Sequence, residues 1–411
     1  LLQKRLLLRM GLATTRKIMS KTLYYSEFGD PLKVVKYKEL PMMPLKSHEV
    51  LVRMLAAPVN PADINTIQGK YPLKVQFPST PGNEGVGVVE DIGKDVIDIC
   101  PGDKVIITKP GQGTWRNVGA FDKTVVKVIP EDLGLIEAAT LTVNPCTAYR
   151  MLSDFKPVRD DLVVIQNGAN SACGQNVIQI CKAWGVKNIN IVRNRPEINE
   201  LKKYLESLGA TYVLTEEELR TTEIFKSKEI DRAALALNCV GGKNALEMMR
   251  HVDHSGVVVT YGAMSREPLN IPNSALIFKN ISFYGFWMTA WNKKADPAEK
   301  EKMMQEIIGL MCEKKLKAPI SKLVKFEDYK EAIGNALAPQ GFKGCKYVLD
   351  FTSVIEKDIM MNNITQLMVI GKFRAPLYQA VELKNYIHAF KNTATCEAFS
   401  TFNYVFDFTL P

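Results

Sequence analysis

Between Thr22 and Ile129 the apolar positions come in short alternating runs broken by turn residues, the spacing of β-strands. "EVLVRMLAAPVN" supplies one run, "NEGVGVVEDIG" a glycine-rich one, "PGDKVIITKPG" a turn and another, and "GAFDKTVVKVIP" completes the set. Together they predict a small barrel-like β domain. Proline at 58, 61, 72, 78 and 81 is expected to keep the intervening segment in loops rather than helices.

The period then changes. "LIEAATLTVNPCTAYRMLSDF" reads as helical, and "DLVVIQNG" is a short apolar strand ending in a glycine. "NVIQICKAWG" is a helix, "NINIVRNR" a strand, "EINELKKYLESLGA" a helix and "AALALNCVGG" a strand, with "KNALEMMRHV", "GVVVTYGAM" and "ISFYGFWM" continuing the alternation. Strand–helix–strand repetition with apolar strands predicts a doubly wound parallel sheet covered on both faces, a Rossmann-type α/β fold. After Trp291 two helices and a closing strand, "GCKYVLDF", bring a complete domain pair to an end near Phe351.

The last 60 residues resemble the segment before them. At a fixed offset of 57, fourteen of the 42 positions from 310 to 351 recur without a gap; "KAP" at 317–319 meets "RAP" at 374–376, and "YVLDF" at 347–351 meets "YVFDF" at 404–408. The tail therefore reads as a diverged second copy of the C-terminal helix-and-strand unit. Lys346 of the first copy corresponds to Asn403 of the second.

Charge changes the picture at one end. The net charge of +9 suits anionic partners without singling out nucleic acid. The first 20 residues hold Lys4, Arg5, Arg9, Arg16 and Lys17 and no acid, with leucines between the bases. That pattern reads as a mitochondrial presequence, a frayed basic terminus being the alternative. No later segment reaches the length of a membrane span, and no aromatic–basic motif points to nucleic acid. Eight cysteines without a CxxC pair favour free thiols. Of the four histidines, His251 and His254 are close together but lack a third ligand nearby, and are expected to face solvent at a helix end.

"QNGANSACGQ", Gln166–Gln175, sits where strand gives way to helix, the position of a pyrophosphate-binding loop, although Ala172 and Cys173 stand among its glycines. Asn170 and Ser171 could add hydrogen bonds, and the Cβ of Ala172 is the possible intrusion. At the end of the next strand, about 20 residues on, "VRNRP" offers Arg193, Asn194 and Arg195 where an NAD site places a carboxylate, so NADPH is the expected cofactor. Tyr261, Gly262, Ala263 and Met264 end one later strand and Phe286, Trp287 and Met288 the next, at the carboxyl edge where ligands bind.

The β-rich half has Asp63 and Asn83-Glu84 where zinc alcohol dehydrogenases carry Cys and His, so metal activation is not expected. The stretches "NPADINTIQGKYP", "GNEGVG", "TLTVNPCTAYRML", "IQNGANSACGQNVIQI", "RNRP", "LNCVGG", "VTYGAM" and "GFWMTAWNK" run in order over about residues 22 to 350. In them the chain resembles the zinc-free branch of the medium-chain dehydrogenase/reductase superfamily, and within it the mitochondrial trans-2-enoyl-thioester reductases of fatty acid synthesis.

The resemblance implies a mitochondrial-matrix enzyme that reduces the 2,3-double bond of an enoyl-CoA or enoyl-acyl carrier protein with NADPH, and a homodimer. It implies a presequence at 1–20, a GroES-like catalytic domain at 21–147 and a Rossmann domain at 148–289. A return to the catalytic domain follows at 290–353; the duplicate read from the internal repeat occupies 354–411 and departs from the family's pattern. By position Tyr71 resembles the family's active-site tyrosine, Asn144 its asparagine near the nicotinamide, and Lys346 its C-terminal cofactor-contacting lysine. Asn170–Cys173 would meet the phosphates, Arg193 and Arg195 the 2′-phosphate, and 261–264 with 286–288 would line the cofactor and acyl channel. A zinc-free quinone reductase and a catalytically silent NADPH-binding protein share enough of these features to stand as alternatives.

Overall fold

The computed structural model describes residues 18–156, 162–337 and 345–354, together with the backbone of 380–381 and 405–406. The expected presequence thus falls almost wholly outside the described residues. The chain divides after Phe351 into two units.

In the first unit the strands are, in chain order, Met19–Tyr24 (β1), Lys36–Pro41 (β2), Glu49–Pro58 (β3), Val86–Ile92 (β4), Lys104–Ile107 (β5), Val118–Asp122 (β6) and Val126–Val128 (β7). There follow Val163–Asn167 (β8), Lys187–Val192 (β9), Tyr212–Thr215 (β10), Ala233–Asn238 (β11), Val252–Thr260 (β12) and Ser282–Gly285 (β13). Ser321–Lys325 (β14) and Lys346–Asp350 (β15) close the unit.

Strands β8 to β13 form one sheet in the order β10-β9-β8-β11-β12-β13. All of its pairs are parallel. Counted from β8 as first strand, this is the doubly wound order 3-2-1-4-5-6, whose direction of winding reverses between β8 and β11. Both of these strands are buried throughout, which is why apolar residues follow one another without alternation over Val163–Ile165 and Ala233–Leu237.

The other large sheet runs β14-β15-β3-β4-β5-β7, with β6 also paired to β3. Strand β15, near the end of the unit, lies antiparallel against β3, with Val348 opposite Pro58 and Asp350 opposite Ala56. The C-terminal segment therefore does return to the β-rich half. One buried cluster joins the two sheets: Ala56, Val86 and Ile106 from the β-rich half pack in it with Val164, Leu235 and Val259 of the parallel sheet and with Val348. That shared core fixes the walls of the cleft between the halves.

Two local expectations are corrected. The segment between Pro58 and Pro81 is not all loop, because Pro61–Ile67 forms a helix (α1) with Pro61 in its first turn. Proline is tolerated there since the N–H it lacks would have no intrahelical partner. The Asp63 carboxylate accepts the Asn60 N–H at 2.8 Å and so stabilises the helix start. The long helical reading after Leu135 breaks in two, Leu135–Ala139 and Asn144–Asp154 (α2), with Pro145 in the first turn of the second.

In the second unit Ala380–Val381 (β16) pairs parallel with Val405–Phe406 (β17), Ala380 opposite Val405 and Val381 opposite Phe406. Each of these residues lies 57 positions beyond a member of the β14–β15 ladder, where Leu323 faces Val348 and Val324 faces Leu349. The rest of the repeated stretch lies outside the described residues.

Candidate active site

Asn167 ends β8 and Asn238 ends β11, on either side of the point where the winding reverses. Both are fully buried. Asn167 Nδ2 donates to Asn238 Oδ1 at 2.8 Å, and its Oδ1 accepts the Cys239 N–H at 2.7 Å. This bridge ties the two strand ends that bound the crevice. The sequence motifs do not reveal it, although the polar residues that close each of two largely apolar strands are a readable signal.

The loop after β8 leads into the helix Ala172–Ala183 (α3), whose N-cap is Ser171; its hydroxyl accepts the Gly174 N–H at 3.1 Å. The Ala172 and Cys173 N–H groups belong to the first turn, where intrahelical acceptors are lacking, and they suit a phosphate. Gly168 has φ +60°, and a Cβ built there would lie 2.5 Å from Cys239 Sγ; at Gly174 it would lie 2.6 Å from the Ala169 carbonyl oxygen. The two glycines the loop retains are thus the two that packing requires. Burial pushes the Cys173 thiol up to about 12 and the Cys239 thiol up to about 11. At neutral pH both thiols are therefore uncharged and add no negative charge beside a pyrophosphate.

Arg193, Asn194 and Arg195 follow β9 at the surface, and Arg195 Nε donates to the Arg193 carbonyl at 3.2 Å. Burial and the Arg193 charge both lower the Arg195 pKa, against a weaker opposite pull from Glu197. A pair of mutually repelling guanidinium groups favours a dianion between them. The loop, the first-turn amides and this pair together fit a phosphorylated dinucleotide.

At the far end of the sheet, Tyr261–Met264 follow β12, the Tyr261 N–H donating to the Asn238 carbonyl at 2.9 Å and the Met264 N–H to the Cys239 carbonyl at 2.9 Å. The Tyr261 hydroxyl is enclosed beside Cys173 and Cys239, and desolvation raises its pKa well above the ordinary value. Phe286–Met288 follow β13, with Phe286 edge-on to Phe155 at 5.9 Å. Trp287 reaches across the cleft: its indole N–H donates to the Tyr71 hydroxyl oxygen at 2.7 Å, the rings 5.8 Å apart and nearly perpendicular. Because an indole N–H can only donate, it leaves the Tyr71 hydroxyl hydrogen free for another acceptor.

The β-rich half also holds a buried charged group. Asp63 and Lys346 are 2% and 6% exposed and Glu84 is fully enclosed. Glu84 Oε1 accepts from Asn60 Nδ2 at 2.9 Å, while its Oε2 accepts the Val143 N–H at 2.9 Å. Lys346 Nζ donates to Asn60 Oδ1, and Asn144 Nδ2 lies 3.5 Å from the same oxygen. Burial is the main cause of the raised Asp63 pKa, which reaches about 7 in spite of the nearby lysine. Burial likewise raises Glu84 and lowers Lys346, and here the opposite charges pull each back. In the sequence these carboxylates read only as departures from a zinc ligand set. The positive charge they meet in the structure is the ammonium of Lys346.

His251 does not face solvent as expected. It stacks on Phe225 at 4.6 Å, and burial with surrounding cations pushes its imidazole down to about 4. Among the described residues no group of three or more His, Cys, Asp or Glu side chains is arranged to hold a metal ion.

Residues 46–132 match the alcohol dehydrogenase GroES-like domain and residues 172–308 the zinc-binding dehydrogenase domain. The mitochondrial enoyl-[acyl-carrier-protein] reductase of Xenopus tropicalis is 44% identical over 78% of this chain and 93% of its own; that of Rattus norvegicus is 45% identical over 80% and 88%. The chain belongs to the mitochondrial enoyl-[acyl-carrier-protein] reductase family. Among solved structures, the complex of Etr1p with NADP and crotonyl-CoA superposes with a TM-score of 0.75 at 32% identity, covering 81% of this chain and all of that one. A putative NADPH:quinone reductase from Bacillus thuringiensis superposes at 0.73 with 26% identity, over 81% of this chain and 99% of that one.

Membership of this reductase family puts weight on the loop and on the buried charges, and each can be checked. Gly174→Ala is expected to destabilise the protein by about 1–3 kcal/mol, and Ala172→Gly to change stability by less than about 1 kcal/mol, both read by thermal or urea unfolding. A Gly174→Ala protein as stable as the parent would contradict the packing described.

Asp63 is raised from 3.8 to about 7, so the folded state holds its proton more tightly than the unfolded chain. Its contribution to stability is complete below about pH 4 and is lost as the pH rises through 7. Relative to Asp63→Asn, the parent is expected to lose stability across that window, by on the order of 4 kcal/mol at most. Parallel pH–stability curves for the two proteins would refute the shift.

Proposed function

We propose that this protein reduces the 2,3-double bond of trans-2-enoyl thioesters with NADPH, in mitochondrial fatty acid synthesis. The Tyr71 hydroxyl carries the reading: it is held by the Trp287 indole N–H, with its own hydrogen free to be donated. NADPH when bound supplies the hydride that Cβ of the substrate receives. The electron pair then moves towards the thioester carbonyl, and the Tyr71 O–H donates to that oxygen as negative charge develops. A proton for Cα completes the reduction, from Tyr71 or from water it orients.

The rest of the site is assigned to cofactor and substrate. Ala172 and Cys173 N–H groups hold the pyrophosphate, with Asn170 and Ser171 beside them, and Arg193, Asn194 and Arg195 take the adenosine 2′-phosphate. Asn144 and Lys346 lie at the nicotinamide end, while Tyr261–Met264 and Phe286–Met288 line the cofactor and acyl channel. Enoyl-CoA and enoyl-acyl carrier protein present the same thioester, and the complex of Etr1p with crotonyl-CoA supports that class. No helix among the described residues is long and apolar enough to cross a membrane.

We also infer a homodimer built on β13. This strand is the edge of its sheet; its Tyr284 is 49% exposed, and Ile277 and Phe278 just before it are 69% and 76% exposed. An edge strand with apolar neighbours is a pairing surface for a second copy. The Candida tropicalis 2-enoyl thioester reductase Etr1p/Etr2p, a heterodimer, is among the similar structures.

Oxidation of NADPH followed by its absorbance with crotonyl- or hexenoyl-CoA is the direct test. Turnover of quinones without turnover of enoyl thioesters would overturn the assignment in favour of a quinone reductase, and NADPH binding with neither activity would leave a silent binding protein. Tyr71→Phe is expected to lower kcat at least roughly tenfold with NADPH affinity nearly unchanged. Replacing Arg193 and Arg195 together by alanine should raise the KM for NADPH roughly 10- to 100-fold and leave NADH use nearly unaltered. An equal loss with both cofactors would remove the 2′-phosphate role.

A further inference from the structure

We infer that Glu84, which need not touch cofactor or substrate, is a positioning residue that decides which atom of the Asn144 amide faces the cofactor, acting through Asn60. The inference rests on the reading of Asn144 as a cofactor contact.

An asparagine amide can lie either way round unless its neighbours forbid one orientation. Around Asn60 they do. Glu84, as a carboxylate, can only accept, and it faces Asn60 Nδ2 at 2.9 Å. Lys346 can only donate, and it faces Asn60 Oδ1. The amide of Asn60 is thus locked with its oxygen towards Lys346 and Asn144. Asn144 must then turn its own NH₂ group inward to that oxygen, 3.5 Å away, which leaves its carbonyl oxygen for the cofactor. A carbonyl there selects a hydrogen-bond donor, such as a carboxamide N–H or a ribose hydroxyl.

Glu84 also fixes where Asn144 begins. Its second oxygen accepts the Val143 N–H at 2.9 Å and faces the Thr142 hydroxyl at 3.3 Å, directly before α2. The position and the polarity of Asn144 are therefore set by the two oxygens of one carboxylate. The donor from Val143 is a backbone group and cannot be reversed, so the arrangement has no mirror alternative.

Glu84→Gln tests the polarity with little change of shape. The oxygen of the new side chain must stay on the Val143 N–H, so its NH₂ group faces Asn60 and drives that amide to turn over. Asn60 Nδ2 then confronts the Lys346 ammonium and the Asn144 NH₂ group, donors against donors. In the full chain, NADPH affinity measured by fluorescence titration is expected to fall roughly 10- to 100-fold.

Adding Asn60→Asp to Glu84→Gln restores every donor–acceptor match. The carboxylate introduced at position 60 can only accept. It therefore takes the new amide at position 84, the Lys346 ammonium and the Asn144 NH₂ group together, and the total charge equals that of the parent. The double variant is expected to bind NADPH within about threefold of the parent, whereas Asn60→Asp alone sets two carboxylates against each other and binds poorly. Rescue is the readout that a merely structural role for Glu84 would not produce. Unfolding curves on the same samples show whether each protein is folded. A folded Glu84→Gln protein with parental affinity, or a double variant as weak as the single one, overturns the inference. Asn144→Ala separates the two readings: parental affinity there would overturn Asn144 as a cofactor contact and this inference with it. A weakened Asn144→Ala beside an unaffected Glu84→Gln would overturn this inference alone.

Discussion

Lys346 is the cation on which the β-rich half of the active cleft depends. Two carboxylates, Asp63 and Glu84, are held out of water within its reach, and burial alone would make both charges prohibitive. The ammonium offsets part of that cost, and only because β15 lies against β3, which brings residue 346 beside Asn60 at the start of α1. Sheet topology and electrostatics are one constraint here. A register shift of one residue in β15 would turn Lys346 to the opposite face and leave the carboxylates unpaired.

The parallel sheet plays a different part. At the point where its winding reverses stand backbone amides, glycines and the neutral amides of Asn167 and Asn238. It offers a crevice built mainly of neutral groups, with the positive pair Arg193 and Arg195 following β9. The β-rich half contributes Tyr71, and Trp287 from the sheet meets it. The division follows from physics, since a cofactor that must be released is better held by dipoles than by buried ions.

Much of this is legible in the sequence. Unbroken apolar runs after Leu162 announce parallel strands, and the arginines at 193 and 195 announce a phosphate where a carboxylate would serve NAD. Tyr71, Asn144 and Lys346 are placed by likeness to a family, and their surroundings are not readable. Local patterns fail where an element's start outweighs its composition: Pro61 looks like a helix breaker although it opens α1, and nothing in the helical period marks the break before Asn144. His251 looks like a solvent-facing residue because the partner that buries it, Phe225, lies 26 positions away in the sequence. The network around Asn60 is invisible for a similar reason. It joins positions 60, 84, 144 and 346, a juxtaposition that only the return of the chain creates.

That return also has a consequence for the order of events during folding. A ribosome, or a membrane pore that admits the chain from its amino end, delivers Asp63 and Glu84 long before it delivers Lys346. Until β15 arrives, the slot beside β3 is an open edge above two acids that have no cation. The parallel sheet can form from contacts within 163–285, but the β-rich half must wait for a contact spanning roughly 290 residues. The half that holds Tyr71 therefore closes through the longest-range contact of the two, and β3 is the edge that stays open until that contact forms.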